Sequence, residues 1–192
     1  MEFKPLSEKY RKSSEAIITY DWVDIINGLG YQTFYLATTY NTAISYILSP
    51  NVVYSNDDSV KNDATATFAF NSSALTSSRT IKGTAIFDIW AGAGGGGNWT
   101  CTGTLYYVRG GTPVSLGTFT AEATAATGGN LAKMTTIEVA ETQLAIGDSL
   151  RLTITVGAGN DSSKSVWTNP AGVHVAAGSG TSSLHLPFKI TE

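Results

Sequence analysis

Over much of the chain, apolar and polar residues alternate with a period of two. In residues 84–90, Ala85, Phe87 and Ile89 fall on one side, with Thr84, Ile86, Asp88 and Trp90 on the other. Leu150, Leu152, Ile154 and Val156 repeat the pattern with Arg151, Thr153 and Thr155 between them, and Ala64, Ala66, Phe68 and Phe70 do so earlier. Successive side chains of a strand point to opposite faces, so each segment predicts a strand with one buried face. Gly110-Gly111 between residues 100–109 and 114–120 predicts a tight hairpin, and Gly147-Asp148 predicts a second turn. Strand-forming runs also cover residues 16–26, 31–36, 43–48, 134–139 and 183–190, and polar or glycine-rich loops are expected at 55–63, 92–97 and 157–165. No amphipathic stretch of helical length follows residue 30. The prediction is an all-β protein: one antiparallel β-sandwich, jelly-roll-like, over residues 16–192.

Residues 1–15 differ in texture. They hold seven of the chain's 27 charged residues, and Phe3, Leu6 and Tyr10 recur at spacings of three and four. They are expected to form an N-terminal arm whose three apolar side chains order on a neighbouring subunit.

Composition sharpens the strand reading and narrows function. Thr and Ser fill 45 of 192 positions while charged residues reach only 14%, the composition of short strands joined by tight turns. Twelve basic against fifteen acidic residues leave a net charge of −3, and the basic ones cluster only at Lys4, Lys9, Arg11 and Lys12, among acids. Nucleic acid is therefore not an expected partner, since a duplex binder needs a basic stripe to displace counterions. No apolar run is long enough for a membrane-spanning helix, and no secretory leader pattern opens the chain.

Candidate chemistry is sparse. His174 and His185 lie eleven residues apart, away from Cys101, with no metal-ligand spacing. No Gly-x-Ser-x-Gly elbow marks a nucleophile. Asp57, Asp58 and Asp63 share a polar loop, Glu138 and Glu141 sit near a strand end, and Asp88 lies on a strand, none in the pattern of a glycosidase pair. Asn56-Asp57-Asp58 and Asn160-Asp161 offer oxygen ligands without the order of a calcium loop. The glycine run at 92–97 lacks the Gly-Lys-Ser/Thr ending of a phosphate cradle. The expectation is a non-enzyme with no catalytic residue, no cofactor and no metal.

Aromatic residues remain. Trp90, Trp99 and Trp167 border glycine-rich or polar loops, where indoles can stack on sugars or bury at subunit contacts. The segment Tyr20-Asp21-Trp22-Val23-Asp24-Ile25, followed by Gly28-Leu29-Gly30-Tyr31 and Thr33-Phe34-Tyr35, resembles the opening of β-sandwich virion proteins of tailed bacteriophages. Leu144-x-x-Gly147-Asp148-x-Leu150-Arg151-Leu152 resembles a late strand-turn-strand of the same group, a pattern shared with carbohydrate-binding sandwiches. The resemblance implies a capsid decoration or cement protein, made in the host cytoplasm and carried on the capsid surface, with no catalytic residues. Its partners would be copies of itself and a major capsid protein. The alternative is a glycan-recognising tail or fibre component using Trp90, Trp99 or Trp167. In either case the outer sheet surface is expected to meet other molecules.

Overall fold

The computed structural model describes residues 29–40, 44–51, 59–62, 67–93, 97–125, 129–157, 164–168 and 180–189. The arm candidates Phe3, Leu6 and Tyr10, the first strand expected at 16–26, and His174 lie outside them. Eleven strands account for most of what is described: β1 (Leu29–Tyr40), β2 (Ile44–Ser49), β3 (Ser59–Asn62), β4 (Thr67–Asn71), β5 (Arg79–Ala93), β6 (Gly97–Arg109), β7 (Thr112–Ala125), β8 (Gly129–Leu144), β9 (Ser149–Gly157), β10 (Lys164–Trp167) and β11 (Ser183–Lys189). No helix occurs among the described residues.

Hydrogen bonding links the strands in the order β3-β10-β5-β11-β1-β2-β4-β9-β6-β7, with β8 paired along β5. The path curls, so that β8, β5, β11, β1 and β2 form one layer and β4, β9, β6 and β7 the other. It turns the corner at β2–β4, the one parallel pair in the described path, bridged at Ile47 and Asn71 alone. Tyr46 holds that corner by setting its ring edge-on to Phe68 and Phe70, each centroid 5.4 Å away. On the opposite side β7 runs against β8, where the Thr135 hydroxyl donates to the Thr120 carbonyl. This is the sandwich expected from the alternation.

The inward faces are those the period of two selects. Ala85, Phe87 and Ile89 from β5 meet Trp99, Cys101 and Leu105 from β6 and Leu150, Leu152, Ile154 and Val156 from β9, all at or near zero exposure. Phe87 and Phe119 cross between the layers edge-to-face at 5.0 Å. Gly103 makes that crossing possible: a Cβ there would lie 2.1 Å from the Thr153 carbonyl oxygen and 2.6 Å from the Phe119 ring. At the β6–β7 hairpin, Gly110 and Gly111 take φ of 56° and 85°, as a two-residue turn matched to strand twist requires. Two short strands depart from the expected loops. β3 and β10 pair through residues 59–62 and 164–167, and β10 continues onto the end of β5.

The turn after β8 is closed electrostatically. Arg109 at the end of β6 reaches Asp148 with two nitrogens, Nε to Oδ1 at 3.0 Å and Nη2 to Oδ2 at 2.7 Å, and Nη2 also donates to the Gln143 carbonyl. Asp148, 3% exposed, additionally accepts from the Ala145 amide. The hydrogen bond from Arg109, helped by that amide and opposed by burial, holds the Asp148 carboxyl below the usual carboxylate range. A lowered folded pKa gives stability present above the unfolded value, about 4, and lost as pH falls through the folded one. Melting temperature measured from pH 7 down to pH 2 should therefore drop below about pH 4, and Asp148→Asn should flatten part of that drop while lowering the melting temperature at pH 7. In the core, Gly103→Ala should cost roughly 2–3 kcal/mol by urea unfolding, because overpacking displaces backbone and ring together.

Candidate functional site

The three tryptophans are treated differently by the fold. Trp99 is fully buried on the inward face of β6, in register with Cys101, Gly103 and Leu105, and belongs to the core. Its ring face is closed to a sugar unless the sandwich opens, so the stacking role expected for it does not fit its placement. A depression of about 530 Å³ is lined by Trp99 together with Asn98, Thr100, Glu122 and Ala123. Trp90 and Trp167 are half-buried at the end of β5 and in β10. Ser182 ties them together: its hydroxyl accepts from the Trp90 amide and donates to the Trp90 carbonyl, while its amide donates to the Trp167 carbonyl. A Cβ at Gly180 would collide with the Trp90 indole, and one at Gly92 would touch Ser165 Oγ and the Trp167 ring. Among the described residues, the indole nitrogens of Trp99 and Trp167 and the hydroxyls of Thr168 and Thr181 are buried with no hydrogen-bond partner.

His185 lies on the outer face of β11, as its alternation with Leu184 and Leu186 predicts. Its Nδ1 is 2.9 Å from Thr33 Oγ1 on β1, and its Nε2 is 3.2 Å from both Asp88 Oδ2 on β5 and Ser183 Oγ. The order hydroxyl, imidazole, carboxylate is that of a nucleophile relay. The relay lies flat across three paired strands, with the amides around it engaged in the sheet ladders. The arrangement pins β1, β11 and β5 in register. Glu138 accepts from Thr84, and Glu141 pairs with Lys82 and Lys189, so these carboxylates too are cross-strand partners. Lys82 and Lys189 hold the Glu141 carboxyl below its ordinary value. Among the described residues no three His, Cys, Asp or Glu side chains converge on a metal site, and the oxygen-rich loops at Asn56–Asp58 and Asn160–Asp161 lie outside them.

The other layer presents a different surface. Register places Thr67, Thr155, Thr102 and Thr120 in one rank across β4, β9, β6 and β7, and Ala69, Thr153, Thr104 and Thr118 in the next. All face outward, exposed or half-exposed, and Thr67 and Thr155 share a hydroxyl hydrogen bond of 2.8 Å. The rank beyond holds Asn71, Arg151 and Tyr106, with Arg151 Nε donating to Asn71 Oδ1 at 2.7 Å. The rank on the other side holds Gly157, Thr100 and Glu122. Charge is thus divided between the layers. Asp88, His185, Lys82, Glu138, Glu141 and Lys189 stand on the first, whereas the central ranks of the second are hydroxyl and methyl alone.

This array escaped the sequence reading, which followed the inward residues of each alternating run. The signal was present at the intervening positions: Thr100-x-Thr102-x-Thr104, Thr118-x-Thr120 and Thr153-x-Thr155. Only the strand register shows that they line up.

No protein-family model and no curated protein sequence matches the chain. Solved structures do resemble it. A CocE/NonD family hydrolase from Staphylococcus aureus aligns at a TM-score of 0.56 with 9% identity, over 84% of this chain and 34% of that one. An aminopeptidase from a marine sediment Thaumarchaeota archaeon aligns at 0.53, also 9% identical, over 85% and 37%. The chain spans about a third of the length of those enzymes, and at such identity the likeness concerns the fold alone. The infectious bursal disease virus structure, at a TM-score of 0.24 and 13% identity over 80% of this chain and 42% of that one, supports no argument.

Trp99→Ala should behave as a core deletion, costing about 3–5 kcal/mol in urea unfolding. Trp90→Ala and Trp167→Ala should cost less, because both rings are only half-buried.

Proposed function

We propose that this chain is a non-catalytic virion structural protein of the capsid decoration or cement kind, acting by surface contact with copies of itself and with a major capsid protein. The observation that carries the reading is the division of charge between the two layers. A face of threonines without charge over its central ranks loses little on desolvation, while each methyl adds apolar area and each hydroxyl can donate or accept. The resemblance to bacteriophage β-sandwich proteins supports the virion assignment, and one stretch that carries it, residues 144–152, folds into the Arg109–Asp148 turn and β9. In the same reading the 1–15 arm, through Phe3, Leu6 and Tyr10, adds a second contact on a neighbour or on the shell.

The glycan-binding alternative rests on Trp90 and Trp167, whose half-exposed rings sit beside buried, unpartnered donors at one end of the sandwich. Recognition of a sugar there would use stacking on the exposed parts of the two rings.

Adding the purified chain to undecorated particles and counting occupancy by electron microscopy tests the primary reading. Saturable occupancy is expected, and deletion of residues 2–15 should lower it severalfold. Absence of binding, together with a glycan-array signal lost on Trp90→Ala or Trp167→Ala, would replace it with the alternative.

A further inference from the structure

The threonine face has the symmetry of a surface that can meet itself. β9 and β7 flank β6 on either side. Arg151 on β9 stands level with Tyr106 of β6, and Glu122 on β7 stands level with Thr100. The two charges therefore occupy diagonally opposite corners, and the midpoint between them falls on β6 at Gly103, between the outward side chains of Thr102 and Thr104. A twofold axis lying in the face, through that midpoint and square to the diagonal, carries Arg151 of one copy onto Glu122 of the other, twice. Resting on the assembly reading above, we propose that the outer face of β4-β9-β6-β7 is a homodimer interface about this axis.

Chemistry at the centre agrees with the charges at the corners. An isologous contact must be self-complementary, and close to its axis each residue meets its own copy or that of an immediate neighbour. Like charges would repel there. Threonine does not, since its hydroxyl both donates and accepts and its methyl packs against another methyl. Glu122 and the central Thr102, Thr118 and Thr120 are exposed, so no described residue covers them. Arg151 is held at its corner by Asn71.

Size sets the strength. Strands about 4.8 Å apart and ranks about 6.8 Å apart give a four-by-four patch of roughly 500 Å² per copy, near the lower limit of about 1,000 Å² in total for a specific contact. The dimer is accordingly weak in solution, with a dissociation constant on the order of micromolar, and gains strength where many copies are held side by side.

Sedimentation velocity on the full chain, from about 1 to 500 µM, tests the interface. Wild type should pass from monomer to dimer across that range. Glu122→Arg and Arg151→Glu should each weaken association at least tenfold, since each change counts twice about the axis. The double swap should restore it to within about threefold. Thr104→Lys, which sets two ammonium groups across the axis, should abolish it, with unchanged circular dichroism confirming that each variant folds. A wild type that remains monomeric throughout, or variants that dimerise as wild type does, would overturn the interface. Particle occupancy decides the assembly reading separately: Glu122→Arg self-associating as wild type while still decorating particles would sink the interface and leave that reading standing.

Discussion

Closure of the two layers on the Phe87–Phe119 contact is the constraint from which the rest of the molecule follows. The rings meet only because Gly103, directly across the ladder from Phe119, leaves its side-chain space empty. With the layers at that separation, the inward residues of β5, β6 and β9 fill the interior completely. Their alternate residues must then face outward. A strand cannot bury one set of side chains without displaying the other, so the core fixes what the surface can offer.

That coupling explains how much the sequence disclosed. The inward sets of β5, β9 and the end of β4 were legible, because burial selects large apolar residues at every second position and nothing else competes. The Gly110-Gly111 and Gly147-Asp148 turns were legible for a similar reason, their backbone angles admitting few residues. The short strands β3 and β10 were not. β3 has one apolar residue, Val60, and β10 only the adjacent Val166 and Trp167, which make no alternation; each exists because a neighbouring strand supplies hydrogen-bonding partners. The parallel corner between β2 and β4 was equally hidden, as one bridge leaves no periodic trace.

Trp99 shows the same lesson from the other side. Its neighbours Gly97 and Asn98 suggest a loop and hence an accessible ring, whereas counting in twos from Cys101 and Leu105 places it inside. Local composition described the company the residue keeps in the chain, and parity described where its side chain goes. Parity prevailed because β6 pairs with β7 from Gly97 onward. The outward threonines are the complementary case: unremarkable one strand at a time, they become a surface only when four strands are set in register.

The two outer faces divide the work. One carries the Lys82–Glu141 ion pair and the Asp88–His185 hydrogen bond, which bind its own strands together, and the other presents the exposed threonines Thr102, Thr118 and Thr120. A cysteine placed at the centre of the second face reads this out directly. The native thiol does not interfere, because burial pushes the Cys101 pKa up to about 12. A bismaleimide, long enough to span two sheets facing each other about 10 Å apart, should join Thr104→Cys into a covalent dimer across the axis, while Thr136→Cys on the opposite face stays monomeric. Equal cross-linking at both positions, or none at Thr104→Cys, would contradict the account.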